Sequence, residues 1–223
     1  MRSRSIGRAS VLLCVSLACI LIAGVCTAAR PQGTYRQPGA REYIKILEDP
    51  HRIDRLRPAE IIQTIGLKPG DTVADIGSGS GLFTRAMARA VAPGGKVYAV
   101  DIDKDLLAHV AKAAAELGIA NITTVLAPED SPSLPPGSLD VALICDTLHH
   151  IARRQVYLAN LKTCLKAGGR LVIIDFSDGW PAGHESMHFS LSELDGWTSA
   201  AGYQKVAEYD SIEGNFFRIY RIR

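Results

Sequence analysis

Apolar positions along the chain change their period several times, and each change marks an element. From residue 72 onward, short apolar runs alternate with stretches in which apolar residues recur every three or four positions. The runs TVADIG, KVYAVDI, NITTVLA, SLDVALICD and RLVIIDF read as strands, TVADIG of the buried type and SLDVALICD longer and more apolar. Between them, GLFTRAMARAVA, KDLLAHVAKAAAELG and RRQVYLANLKTCLKAGG carry helical spacing and stop at glycine. LSELDGWTSAAG predicts one more helix, and YQKVAEYD and NFFRIYRIR then alternate at period two, as an antiparallel pair does. Upstream, REYIKILED and PAEIIQTIGL predict short helices, and KPGD predicts a turn into the first strand.

Strands alternating with helices imply an α/β fold, a parallel sheet covered on both faces with right-handed crossovers. The closing hairpin makes that sheet mixed. Ligands of such sheets bind beyond the carboxyl ends of the strands, where strand order reverses. Those ends are Asp75–Gly81, Asp101, Ala127–Asp130, Asp146–His150 and Asp175–Asp178, an edge rich in carboxylate acceptors.

The stretch before this pattern differs in kind. Arg2, Arg4 and Arg8 precede 21 uncharged residues, Ala9 to Ala29. A basic start, an apolar middle and small residues near Ala28 and Ala29 have the layout of a cleavable secretory signal. The same run is long enough to span a bilayer, so a membrane anchor is the alternative. The predicted organisation is a signal or anchor over 1–29, a linker and helical segment over 30–57, and the main domain over 58–223. Export after cleavage, to the periplasm or medium, is the expected location.

Charge follows from that division. The chain has 25 basic and 23 acidic residues, and three of the basic ones lie in 1–29 with no acid beside them. The remaining 22 basic and 23 acidic residues offer no basic surface, so nucleic acid is not an expected partner. The membrane is expected to be met only through 1–29. Beyond that segment only Cys145 and Cys164 remain; they lack metal-ligand spacing and read as small buried hydrophobes.

The most informative stretch is VADIGSGSGLF, residues 73–83. A strand entering a helix through glycines brings backbone N–H groups close to a ligand. A dinucleotide site expects G-x-G-x-x-G; here the spacing is G-x-G-x-G, with Leu82 where the third glycine would stand. Asp75, two residues before Gly77, suits a cationic ligand and not pyrophosphate. Asp101 follows Gly81 by 20 residues, at the end of the second strand, where a carboxylate accepts ribose hydroxyls. A ribose, a positive charge and no phosphate describe S-adenosylmethionine.

On VADIGSGSG, VYAVDID, LPPGSLDVALICDTLHHI and LKAGGRLVIIDF, taken in that order, the chain resembles class I S-adenosylmethionine-dependent methyltransferases. YIKILEDPHRIDRLRP and DTLHHI further resemble small exported bacterial methyltransferases. The resemblance implies a Rossmann-like three-layer sandwich whose seven-stranded sheet has the order 3-2-1-4-5-7-6. It also implies roles. Asp75, Gly77, Ser78, Gly79 and Gly81 would cradle the methionine part, Asp101 the ribose and Ile102 the adenine. Glu129 or Asp130 would accept the adenine amino group, and Asp146 would line the methionine end. The expected activity is methyl transfer to a small-molecule acceptor. The alternative is an exported module that binds the cofactor or its demethylated product without catalysis, a reading that export favours because the cofactor is made in the cytoplasm. A nucleotide-dependent oxidoreductase is disfavoured by Asp75 and Leu82.

Methyl transfer requires in-line placement of the nucleophile, and a general base only where that nucleophile holds its proton tightly. The candidates at this edge are His149, His150 and Asp146, with His149 expected in the cavity and His150 in packing. His184 lies in DGWPAGHESMHF, a loop suited to a lid, with Trp180, Phe189 and Trp197 as an apolar substrate wall. Grouping His149 or His150 with His184 and Asp175 would suit zinc or iron. Polar loop histidines are the plainer reading, and no metal is expected.

Overall fold

The computed structural model describes residues 38–223. The predicted signal or anchor over 1–29 lies outside them. Three helices open the described chain: α1 (Ala40–Leu47), α2 (Pro50–Leu56) and α3 (Pro58–Ile65). The alternating part follows as β1 (Thr72–Ile76), α4 (Leu82–Ala90), β2 (Lys96–Asp101), α5 (Lys104–Glu116), β3 (Ile122–Leu126) and β4 (Leu139–Cys145). A short 3-10 turn, Leu148–His150, leads to α6 (Arg154–Cys164), β5 (Leu165–Phe176), α7 (Leu191–Ala200), β6 (Tyr203–Ile212) and β7 (Asn215–Ile222).

The strands form one seven-stranded sheet in the order β3-β2-β1-β4-β5-β7-β6. The first five are parallel, and β7 joins β5 and β6 antiparallel. The expected fold class and strand order are those observed. Period-two alternation explains how the sheet is covered. On β4, Val141, Leu143 and Cys145 join an apolar cluster with α3 and α4, while Ala142 and Ile144 join another with α6 and α7. Full burial of a side chain such as Leu143 or Ile144 contributes about 1.5–3 kcal/mol.

Three differences from the sequence pattern have local causes. Helix α1 begins at Ala40, inside residues 30–42, whose polar, proline- and glycine-broken sequence reads as a linker. Helix α2 carries no clear periodicity; it is nucleated by Asp49, whose side chain accepts the amides of His51 and Arg52, and by Pro50 in its first turn. Strand β5 starts at Leu165, so KAGG ends no helix. A Cβ at Gly169 would lie 3.0 Å from the Leu139 carbonyl oxygen, so glycine there lets β5 close against β4.

Candidate functional site

A cavity of about 230 Å³ opens beyond the carboxyl ends of β1, β2 and β4. The β1–α4 loop forms one wall. Gly77 and Gly79 have φ of +71° and +52°, and a Cβ would meet Thr147 Cγ2 at 2.3 Å or Leu47 Cδ1 at 2.6 Å, so only glycine suits this backbone. The Gly77 and Ser78 amides both donate to the Val100 carbonyl, at 2.8 and 3.0 Å, which pins the loop to β2. The Ser78 hydroxyl is buried and has no hydrogen-bond partner. A buried, unsatisfied hydroxyl on a cavity wall is costly unless a ligand meets it. Gly81, expected in the cradle, lies outside the cavity lining. It starts α4 at φ +81°, and its missing Cβ makes room for Val110 of α5, 3.0 Å away.

Asp75 and Asp101 both line the cavity and are buried. Asp75 accepts the Thr84 hydroxyl. Burial pushes its carboxyl up to about 6; the Thr84 bond opposes the rise, and repulsion from Asp101 adds to it. Asp101 accepts the Gly79 amide on Oδ2 at 2.8 Å and the Asp103 amide on Oδ1 at 3.0 Å. Each oxygen keeps a lone pair for a further donor. Burial raises this carboxyl too, against those amide bonds.

The two acids left open by the sequence part company. Glu129 lines the cavity, together with Ile102, whereas Asp130 lies outside the lining and pairs with the Arg153 guanidinium. Asp146 lines the cavity, but its oxygens are engaged: Arg52 Nη2 donates to Oδ2 at 2.9 Å and Asn215 Nδ2 to Oδ1 at 2.8 Å. Arg52 itself lines the cavity, with Tyr43 and Leu47 of α1. Helices α1 and α2 thus roof the site, a role that no periodicity announced. Arg85 clasps Glu48 at 2.8 Å from below.

The two adjacent histidines exchange the places expected of them. His150 lines the cavity, and His149 is buried beside it. The cause is Asp175 at the end of β5. Its Oδ2 accepts the His149 amide at 3.1 Å, and its Oδ1 lies 2.7 Å from His149 Nδ1, which draws that ring under the sheet edge. Loss of solvent, then repulsion from His149, His184 and Arg154, pushes His150 down to about 3. At neutral pH it is an uncharged imidazole and a weak base. Burial lowers His184 as well. The loop after β5 brings Trp180 edge-on to His149 at 5.6 Å, and Phe189 lies 5.4 Å from Trp197.

Residues 74–173 match the family described as Methyltransferase domain. The chain is 32% identical over 126 residues to the ubiquinone/menaquinone biosynthesis C-methyltransferase UbiE of Ectopseudomonas mendocina, covering 56% of this chain and 49% of that protein. The UbiE of Burkholderia multivorans is 30% identical over 119 residues, covering 53% and 49%. The chain therefore spans about half the length of the curated relatives it matches. Among solved structures, a SAM-dependent methyltransferase from Aquifex aeolicus superposes with a TM-score of 0.76 at 25% identity, covering 84% of this chain and 100% of that one. The 1,6-didemethyltoxoflavin-N1-methyltransferase of Burkholderia thailandensis, solved with S-adenosylhomocysteine, shares the fold at a TM-score of 0.63 and 23% identity, covering 82% and 84%.

Proposed function

We infer, from a chain with the fold of class I S-adenosylmethionine-dependent methyltransferases, that it transfers a methyl group from S-adenosylmethionine to a small-molecule acceptor. The observation that carries this reading is the β1–α4 loop: glycines with no room for a Cβ, an unsatisfied Ser78 hydroxyl, and Asp101 across the same cavity. These residues fit the cofactor's donor groups. Asp101 accepts the ribose hydroxyls, Glu129 the adenine amino group, and Asp75 faces the cationic methionine end. Ile102, 55% exposed at the rim, offers an apolar face to the base.

When bound, the cofactor supplies an electrophilic methyl group on a positively charged sulfur. This chain's residues bind, orient and exclude water. Placing an acceptor in line at about 3 Å is a large part of the rate. The α1–α2 roof closes the cavity over the loop, and His150 stands at the acceptor side as a neutral hydrogen-bonding group. Trp180 and Phe176 pack on His149, and Phe189 on Trp180, outside the cavity lining, so the apolar wall expected of this loop does not face the cavity. No observation favours a module that binds without turnover.

Calorimetry on the full chain with S-adenosylhomocysteine and with NAD tests the reading. Micromolar binding of the first and none of the second is expected. The reverse result would sink it. A radiolabelled methyl-transfer screen over small aromatic acceptors then tests turnover. We also propose that 1–29 directs export or anchors the chain; cell fractionation with N-terminal sequencing of the mature form checks this. Among the described residues no helix is long and apolar enough to cross a membrane.

A further inference from the structure

Three histidines from two separate stretches converge at the edge of the cavity. His149 and His150 come from the turn after β4, and His184 from the loop after β5. One ring nitrogen of each lies within 4.8 Å of the others. The ring centroids are 4.1 Å apart for His149 and His150, and 5.3 Å for each of these against His184.

Two of the rings are oriented from behind. Asp175 Oδ1 lies 2.7 Å from His149 Nδ1, and the Ala182 carbonyl oxygen lies 3.3 Å from His184 Nδ1. A proton held on Nδ1 leaves Nε2 with the lone pair that a metal requires. A buried carboxylate behind a histidine is the arrangement by which metal proteins fix the tautomer and raise ligand basicity. Asp175 is fully buried and also accepts the amides of His149 and Phe176, so its position is fixed by the sheet edge. Aromatic packing alone accounts for His188, which stacks on Trp180 at 4.2 Å and lies outside the group. It does not by itself account for three ring nitrogens from two separate stretches gathered within 4.8 Å.

We propose that His149, His150 and His184 bind one divalent first-row transition-metal ion, with zinc the best match. Imidazole donors suit zinc, copper, iron and nickel, and three of them leave zinc a fourth position for water or substrate. Zinc–nitrogen distances of about 2.0–2.1 Å place tetrahedral ligands roughly 3.4 Å apart, so nitrogens up to 4.8 Å apart must draw in by as much as about 1.4 Å. His184 supplies that movement: its loop has glycines at 179 and 183 with φ of +59° and +86°. His150 belongs both to this group and to the cavity wall, so the open position lies beside the methyl-donor site. The proposal goes beyond methyl transfer and is read without turnover, so either can fail alone.

The test is metal binding by the full-length, untagged protein, stripped with a chelator and titrated with zinc. One ion per chain with micromolar or tighter Kd is expected. X-ray absorption should show three imidazole nitrogens at about 2.0–2.1 Å. Asp175→Asn should weaken binding by about 10–100-fold, and His184→Ala by at least as much. His184 sits on a loop, so its variant should keep the circular dichroism spectrum and Tm of the parent metal-free chain even if Asp175→Asn fails to fold. No binding at sub-millimolar zinc, binding unchanged in His184→Ala, or sulfur in the coordination shell would each overturn the assignment.

Discussion

Arg52 and Asp146 meet at 2.9 Å across the roof of the cavity, although 94 residues separate them in the chain. The carboxylate is half of a knot: Asn215, at the start of β7, holds its other oxygen at 2.8 Å, and Arg55 approaches to 3.9 Å. Asp146 itself sits at φ +48°, a strained conformation for a non-glycine residue that these partners hold in place. One acid therefore joins the roof, the ligand edge of β4 and the closing hairpin.

Arg52→Ala should cost both stability and ligand affinity. It leaves a carboxylate with 7% side-chain exposure beside Asn215 and a distant Arg55. Removing one partner from a fully buried pair costs about 3–5 kcal/mol, and the partial exposure of Arg52 lowers the expected loss to about 2 kcal/mol. Urea melts read the first effect. Calorimetry with S-adenosylhomocysteine should show at least about a tenfold weaker Kd, as the roof loosens.

Gly77→Ala and Gly118→Ala separate steric collision from backbone strain. Both positions have positive φ, +71° and +66°. A Cβ at Gly118 meets nothing within 4 Å, so that variant should lose only the left-handed penalty of about 1–2 kcal/mol and keep full binding. At Gly77 the same atom strikes Thr147, so the loop must shift and S-adenosylhomocysteine binding should disappear.

Asp101→Ala removes the proposed ribose acceptor and the anchor of the Gly79 amide together. Charge-assisted bonds of this kind contribute about 1.5–3 kcal/mol, so affinity should fall by about 10–100-fold. Asp130→Ala, at the acid outside the cavity lining, should leave affinity unchanged in the same titration.

Asp75 predicts a pH dependence of unusual sign. Its unfolded carboxyl titrates near 3.8 and its folded one near 6. Between those values the folded chain holds the extra proton, so stability falls as pH rises through that window. Asp75→Asn should gain in Tm over the parent chain from pH 4 to pH 7. Ligand binding runs the other way, because the ammonium of the ligand's amino-acid end is held by the ionised acid. Affinity for S-adenosylhomocysteine should be about tenfold weaker at pH 5 than at pH 7, and flat in Asp75→Asn.

What was legible in the chain was whatever a local pattern carries. Alternation gave the strands, and the glycine spacing with Asp75 and Asp101 gave the ligand edge, because both are written in consecutive residues. Arg52 was not legible: it sits in a short, charged helix, and its role arises from Asp146, 94 residues away in the loop just past β4. His149 and His150 were legible as a pair but not in orientation, since Asp175 on a neighbouring strand decides which ring turns inward. Gly81 shows how one spacing can serve a second purpose. It shares the motif's spacing, and its missing side chain makes room for Val110 on α5, a contact no local pattern announces.

Helix α1 has no fully buried side chain, and Glu48 at its end reaches the domain through Arg85. A covering held in part by an ion pair that solvent still reaches, with side chains 16% and 33% exposed, is loosened by dissolved ions. Nucleoside exchange in this protein should quicken as ionic strength rises, while the apolar sheet beneath stays indifferent to it.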